Sequence, residues 1–357
     1  MRITTLALTQ FRNYDSRTFQ FDQPTTILVG PNAAGKTTVI EALHLLATGD
    51  SFRAGRIEEM IRFEQELGRV VGKVAAEEEE IELEVMLTSG EVRGKATRKR
   101  LFSINNVRRS KRKFVGNLLT VVFRPEDMRL IEGSPARRRS FLDTPLTMID
   151  REYNRALSTY TQALTKRNRL LTQVREGEMP RSALTFWTMT ILKHGQILQQ
   201  QRRQFLNFFS TVDFPLPFTI EYDWSEISEE RLAKYAEREI AAGYTLVGPH
   251  KDDLIVKLAV ETEELTEQKR DIALYGSRGQ QRMGVLWLKT CELMYLEQQT
   301  GQRPVLLLDD ILSELDMEHR QHVLELLNGN QAIVTSAADS VIEEILAQHP
   351  QSAIIEI

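Results

Sequence analysis

Residues 30–37, Gly30-Pro31-Asn32-Ala33-Ala34-Gly35-Lys36-Thr37, follow the spacing G-x-x-x-x-G-K-T. The terminal glycines let successive backbone N–H groups turn inward at a helix N-terminus, where the helix dipole favours an anion. Lys36 brings a positive charge to the β- and γ-phosphates of a nucleoside triphosphate, Thr37 offers a hydroxyl to Mg²⁺, and Thr38 completes the first turn. Such a cradle takes ATP. Far downstream, the apolar run Val305-Leu306-Leu307-Leu308 ends in Asp309-Asp310. A run of this kind is a strand buried on both faces, so Asp309 emerges at its carboxyl end, where open α/β folds bind ligands. Asp309 is the expected Mg²⁺ ligand, and Asp310 the expected general base that polarises the attacking water. The plainer reading of both carboxylates is a solvated turn after a core strand.

Between these lies Ser277-Arg278-Gly279-Gln280-Gln281-Arg282. Ser277 is placed to cap a helix beginning near Arg278, and the N–H groups around Gly279 and Gln280 leave an open anion site. Since the phosphate loop already serves the chain's own ATP, the spare site suits the γ-phosphate held by a second copy. A serine-x-glycine-glutamine segment shortly ahead of an acidic strand resembles the signature of ABC-type ATPases. In that arrangement two ATP molecules are sandwiched in a head-to-tail homodimer. The plainer reading is an ordinary N-cap followed by a glutamine-rich surface.

The elements that must position these groups are legible from periodicity. Residues 1–8 and 17–21 alternate as edge strands, Thr25–Val29 is a short β-branched run stopping at the loop, and from Lys36 the pattern is helical until Gly49. Residues 70–74, 81–87, 93–97 and 101–104 alternate between turn signals and read as antiparallel strands. Helical spacing dominates from Ile149 and again over 183–209. A strand is expected at 218–222, a helix over Glu229–Ala242, and short strands at 253–258 and 271–274. The fold class is therefore α/β: an ABC-type P-loop ATPase head with mixed sheets and an inserted, mainly helical lobe. Its expected divisions are 1–122 for the first part of the ATPase lobe, 123–240 for the helical lobe and 241–357 for the second part.

A chain of 357 residues with 41% hydrophobic and 27% charged residues can bury a sizeable core. One cysteine, Cys291, lies in a helical apolar pattern and reads as core, which excludes a disulfide framework and favours a reducing compartment. There is no secretory signal and no apolar run near the roughly 18 residues a spanning helix needs, so a cytoplasmic protein without membrane partners is expected. The net charge of −4 conceals an asymmetry. Residues 92–125 contain no Asp or Glu but carry Arg93, Lys95, Arg98, Lys99, Arg100, Arg108, Arg109, Lys111, Arg112, Lys113 and Arg124, directly after an acidic stretch at 77–84. Unrelieved positive charge on hairpins fits a phosphate backbone, although solvated surface is the bland alternative. With no zinc spacing, recognition helix or aromatic platform, binding to duplex DNA indifferent to sequence is the expectation.

Several further segments carry a resemblance that runs nearly end to end. They are Phe11-Arg12-Asn13-Tyr14, Phe123-Arg124-Pro125-Glu126-Asp127, Glu132-Gly133-Ser134-Pro135, Arg137-Arg138-Arg139-Ser140-Phe141-Leu142-Asp143, Gly248-Pro249-His250-Lys251-Asp252-Asp253 and Leu308-Asp309-Asp310-Ile311-Leu312-Ser313-Glu314-Leu315-Asp316. With the loop and the Ser277 segment, this set resembles the RecF family of bacterial DNA-repair ATPases, relatives of the SMC-type ABC ATPases. The resemblance implies a protein that dimerises on ATP, binds DNA near single-strand gaps, cooperates with RecR and RecO, and promotes RecA loading in recombinational repair and the SOS response.

Two departures from the broader ABC pattern bear on turnover. Asp310 stands where most such ATPases place glutamate, a shorter reach that suggests slow hydrolysis, and Thr335-Ser336 offers no histidine at the switch position. Glu126 or Asp127 stands in for the glutamine usual at the lobe junction. Arg137, Arg138 and Arg139 could touch nucleotide or a partner subunit, and His250 reads as a structural turn histidine rather than a catalyst. A P-loop phosphoryl transferase and a transporter-type motor share the phosphate loop and remain the alternatives. The first has no use for Ser277, and the second needs a membrane partner.

Overall fold

Alternation in β1 (Arg2–Phe11) and β2 (Tyr14–Gln20) buries Ile3, Leu6, Leu8, Phe11 and Phe19 on one face. Next, β3 (Thr25–Val29), buried almost throughout, leads into the phosphate loop and α1 (Lys36–Thr48). A hairpin of β4 (Leu67–Ala76) and β5 (Glu79–Thr88) follows, then β6 (Glu91–Val92), β7 (Lys95–Ala96), β8 (Arg100–Ile104), β9 (Val107–Arg109), the single turn α2 (Lys111–Phe114) and β10 (Thr120–Phe123). Helices then dominate: α3 (Arg129–Glu132), α4 (Pro135–Ile149), α5 (Arg151–Arg175) and α6 (Thr185–Phe208). After them come β11 (Phe218–Asp223), α7 (Glu229–Ala242), β12 (Asp253–Glu261), β13 (Glu267–Asp271) and α8 (Ile272–Tyr275). The chain closes with α9 (Arg278–Thr300), β14 (Val305–Asp309), α10 (Met317–Leu326), β15 (Ala332–Ser336), α11 (Asp339–Gln348) and β16 (Ala353–Glu356). These are the elements of a computed structural model that describes residues 1–76, 79–261 and 267–357, so Glu77 and Glu78 of the acidic stretch lie outside the described residues.

The chain separates into two units, Met1–Asp127 with Glu292–Ile357, and Met128–Cys291. In the first, a wholly parallel five-stranded sheet of order β10-β14-β15-β3-β16 carries the phosphate loop. Its three inner strands are continuous runs of buried residues, as expected for a parallel sheet covered on both faces. Register pairs Asp309 with Thr335, and Ser336 with Val29, so the carboxyl ends of β14, β15 and β3 meet along one edge. An antiparallel sheet of order β2-β1-β4-β5-β8-β9 accompanies it. Gln331 ties the two sheets together, accepting from the Ile3 N–H and donating to the Ile3 carbonyl, both at 2.7 Å.

The second unit joins α4 to α7 with a three-stranded sheet, β11-β12-β13. A buried polar network organises it. Arg202, 2% exposed, donates to Asp143, to Asp252 and to the Pro249 carbonyl, while Arg138 grips Asp253 with two bonds of 2.6 and 2.7 Å. Arg167 pairs with the fully buried Glu239 at 2.7 Å. Each cation is satisfied by several acceptors, which is what permits its burial.

Four expectations change. Residues 1–8 do not form an edge strand, since β1 pairs with β2 on one side and β4 on the other. The strand expected at 93–97 is instead a small hairpin, because Arg93 (φ 50°) and Gly94 (φ 73°) form a two-residue turn with positive φ at both positions. The strand expected at 271–274 gives way to α8, because the Asp271 carboxylate accepts from the Ala273 N–H at 2.8 Å and starts a helical turn. Finally, the units divide after Asp127 and after Cys291 rather than at 122 and 240. The stretch from Gly243 to Cys291 packs with the helices, since β12 pairs with β11 and its first residue, Asp253, anchors Arg138.

Candidate functional site

The phosphate loop is built between two supports. At Gly35, φ is 118° and a Cβ would lie 2.6 Å from Asn13 Nδ2, so no side chain fits there. Asn13 donates to the Ala34 carbonyl at 2.9 Å and the Tyr14 hydroxyl to the Gly35 carbonyl at 3.3 Å, so the β1–β2 turn braces the loop from outside. Ala33 is held at φ 67°, a strained conformation for a residue with a side chain, of the sort that concentrates at ligand sites. Behind the loop, Arg12 binds the fully buried Glu41 of α1 through two bonds of 2.9 and 2.6 Å. Lys36 Nζ donates to the carbonyls of Gly30 at 2.6 Å and Pro31 at 3.0 Å, directly over the cradle formed by residues 30–35. Gly30 to Ala34, Gly35, Thr37 and Thr38 occupy one continuous turn from the end of β3 into α1.

Across from α1, Thr37 Oγ1 donates to Asp309 Oδ1 at 2.9 Å, joining residues 272 positions apart in the chain. Thr335 Oγ1 donates to the same oxygen at 3.0 Å and accepts from the Asp310 N–H at 2.9 Å, so one hydroxyl holds the Asp309 carboxylate and the Asp310 backbone. Burial raises the Asp309 carboxyl above the usual carboxylate range, opposed by the Thr37 and Thr335 hydrogen bonds, with Glu126 adding to the rise and Arg124 countering it. A buried carboxylate beside a threonine hydroxyl, with no cation bound to it among the described residues, fits a hard divalent ion that draws its remaining ligands from water and phosphate oxygens. Asp310 sits at φ 52° and accepts from Ser313 Oγ at 2.8 Å. Asp127 is taken up by Arg124, accepting from its N–H at 3.0 Å and its guanidinium at 2.9 Å, which leaves the exposed Glu126 as the carboxylate acting on Asp309.

In the second unit, Ser277 and Gln280 form a reciprocal cap. Ser277 Oγ accepts from the Gln280 N–H at 3.2 Å, and Gln280 Oε1 accepts from the Ser277 N–H at 2.9 Å. Gln281 is buried and donates to the Ile272 carbonyl at 2.9 Å. Ser277 itself is exposed, Gly279 half-buried, and Leu274 and Tyr275 beside them project into solvent, each 73% exposed. Arg278 pairs with Glu132. The N-terminal end of α9 is thus capped and accessible.

The basic span resolves into two groups. Lys99 is paired with Glu58, while Arg100 and Lys111 both bind Asp50. Arg93, Lys95, Arg98, Arg108, Arg109, Arg112 and Lys113 are exposed, with no ion-pair partner among the described residues. Arg138 and Arg139 are occupied within their own unit by Asp253 and the Asp252 carbonyl, leaving Arg137 exposed. His250 accepts from the Tyr160 hydroxyl at 2.7 Å through Nδ1 and reaches the Thr245 carbonyl at 3.0 Å through Nε2, and burial lowers it to about 4. A neutral ring held at both nitrogens is a structural group. Sequence reasoning missed Glu41, named Asn13 and Tyr14 only as carriers of the resemblance and Thr335 only as lacking a switch histidine, and the signal for Thr335 was a polar residue closing an apolar strand.

The sequence matches the RecF/RecN/SMC N-terminal domain family over residues 2–352. It is 36% identical to the DNA replication and repair protein RecF of Roseiflexus castenholzii, covering 94% of this chain and 93% of that one. Against the RecF of Bacillus subtilis it is 31% identical over 98% and 96% of the two chains. A solved structure of the recombination mediator protein RecF with ATP in the RecFOR pathway superposes with a TM-score of 0.81 at 29% identity, over 94% of this chain and 92% of that one. Another, the RecF-ATPrS structure, gives a TM-score of 0.84 at 28% identity over 100% and 96%. No helix among the described residues is long and apolar enough to cross a membrane.

Proposed function

The chain belongs to the RecF family, and from that premise we propose that it is an ATP-gated DNA-binding protein whose slow ATPase activity acts as a switch. The observation that carries this is the pairing of Thr37 with Asp309, which unites the first turn of α1 and the end of β14 in one polyphosphate-and-cation site. In this reading the N–H groups of residues 30–35 wrap the β-phosphate, Lys36 leaves the Gly30 and Pro31 carbonyls for the phosphates, and Thr37 with Asp309 holds Mg²⁺. When bound, Mg²⁺ neutralises charge on the β- and γ-phosphate oxygens.

Asp310 orients the attacking water and accepts its proton. Its side chain is one methylene shorter than a glutamate's and is bound to Ser313, which suits a timer better than a motor. Glu126 is the carboxylate that takes the place of the junction glutamine.

Ser277, with the Gly279 N–H, receives the γ-phosphate of a second copy, so that two ATP molecules hold a homodimer. The exposed Leu274 and Tyr275 suit burial in that dimer. The free cations of residues 93–113 contact the phosphates of duplex DNA near single-strand gaps without reading sequence. The names of its relatives, a DNA replication and repair protein and a recombination mediator in the RecFOR pathway, support a role in DNA replication and repair; in this reading the protein works with RecR, and with RecO and RecA through it.

The test is duplex binding as a function of salt, with ADP or ATP, for the protein and for Lys36→Ala, alongside sedimentation with each nucleotide. ATP is expected to double the mass and tighten DNA binding in the wild type alone. A protein that remains monomeric in ATP, with unchanged DNA affinity, refutes the gating.

A further inference from the structure

A groove of about 720 Å³ is lined by residues 97 and 98, the first three residues of β8, the last two of the edge strand β9, and the start of α2. Five cations line it, Arg98, Arg100, Arg108, Arg109 and Lys111, beside the buried ring of Phe102. A single acidic residue among those described pairs with this set. Asp50, two residues beyond α1, gives one carboxylate oxygen to Arg100 and the other to Lys111. Arg100 also donates to the Gly49 carbonyl at 2.6 Å. Both pairs stay partly in solvent, with Asp50 53%, Arg100 29% and Lys111 39% exposed. Pairs this exposed are modest in strength, so an incoming anion competes for the cations, while burial, which raises the Asp50 carboxyl, is outweighed by Lys111 and Arg100, which hold it below its usual range.

We propose that the Asp50 carboxylate is a built-in stand-in for a backbone phosphate, holding Arg100 and Lys111 in binding position until a phosphodiester of DNA enters the groove and displaces it. The inference rests on the reading that the basic span binds DNA, and goes further by naming which cations form one subsite and what restrains them. Two oxygens bridging two cations present the same negative charge and acceptor pattern that a phosphate presents. Arg98, Arg108 and Arg109, which have no ion-pair partner among the described residues, attract the incoming strand, and the Asp50-bound pair adds its grip only after exchange.

The experiment measures binding of a labelled random-sequence duplex across a salt series, using the whole protein with ATP and Mg²⁺. Asp50→Asn removes the competing charge without changing shape. It is expected to bind DNA roughly three- to tenfold tighter, with a salt slope steeper by about 1 to 2, since each freed cation releases close to one counterion. An Arg100→Gln, Lys111→Gln double variant is expected to lose affinity and flatten the slope by a similar amount, although both residues are ion-paired in the free protein. This second arm reads the proposal even where Asp50→Asn folds poorly, and melting curves identify that case.

Unchanged affinity and slope in the double variant overturns the proposal, as does a folded Asp50→Asn protein that binds no tighter. A gain confined to competing pyrophosphate, with none for duplex, also overturns it by marking a small-anion site. Arg108→Ala with Arg109→Ala separates the two levels. If that pair weakens DNA binding while the Asp50 variants do not move it, only the displacement idea fails. If none of these variants changes DNA affinity, the DNA reading of the basic span fails with it.

Discussion

Replacing Thr335 with valine tests whether one hydroxyl tunes the candidate nucleotide site. Thr335 is 1% exposed and valine matches its shape, so packing is preserved while two hydrogen bonds disappear. The bond to the Asp309 carboxylate, at 3.0 Å, is charge-assisted and contributes about 1.5–3 kcal/mol, and the Asp310 N–H left without a partner costs about 1–3 kcal/mol. Substituting a methyl for the hydroxyl offsets about 0.8 kcal/mol. A net loss of about 2–5 kcal/mol corresponds to a melting temperature roughly 4–20 °C lower for a unit of this size.

The functional consequence is separate from that loss. Asp309 already stands above the usual carboxylate range through burial, and Thr335 is one of two hydroxyls that lower it. Without Thr335 the carboxyl rises further, so its ionised form requires higher pH. Mg²⁺ affinity should fall about tenfold, as is typical when a group supporting a metal ligand is lost. The assay titrates Mg²⁺ against a fluorescent ATP analogue between pH 6 and 8, with Thr335→Ser as the variant that restores the hydroxyl. A Thr335→Val protein that melts lower, yet keeps the wild-type Mg²⁺ midpoint and pH dependence, refutes the reasoning by reducing Thr335 to scaffolding.

Asp309→Asn should behave in the opposite way in the absence of nucleotide. A carboxyl raised on folding binds its proton more tightly in the native state, so its ionisation lowers stability as pH climbs through that window, and the neutral amide should melt higher at pH 7 while losing Mg²⁺-dependent nucleotide binding. A lower melting temperature contradicts this. His250 carries the reverse sign. Its folded value of about 4 lies below the ordinary 6.5, so its contribution is complete above 6.5 and is lost as pH falls toward 4, about 2 kcal/mol between pH 7 and 5. Denaturant titrations of His250→Gln at both pH values should show a smaller difference than the wild type, and an equal difference counts against it. Ser277→Arg should bind ATP normally but sediment as a monomer, and Asp310→Asn should accumulate the ATP-bound dimer. A monomeric Asp310→Asn protein in saturating ATP contradicts the assigned role of Asp310.

The parts of the site that were legible in the sequence are those written in consecutive residues. β3, the phosphate loop and α1 announce themselves by a buried run, glycines and a change to helical period, and β14 by four apolar residues before two carboxylates. Asn13, Tyr14 and Thr335 were not legible because their partners lie across strands, and only the register of β15 against β14 puts Thr335 beside Asp309. The fate of the basic span had the same limit. Its charge is plain, yet the anion that occupies Arg100 and Lys111 is 50 and 61 residues upstream. Residues 271–274 failed for a local reason, since a single aspartate cap outweighed a short apolar pattern.

One helix joins the two charged sites of the first unit. α1 has 13 residues, about 20 Å of nearly inextensible rod, with Lys36 and Thr37 at one end and the Gly49 carbonyl, held by Arg100 beside Asp50, just past the other. A strut anchored in this way obeys reciprocity. If polyphosphate at its head changes the affinity of the groove at its foot by some factor, DNA in the groove must change the affinity for polyphosphate by that same factor. Measuring either ligand in the presence of the other yields one number twice, and any mismatch between the two shows that the message travels by another route.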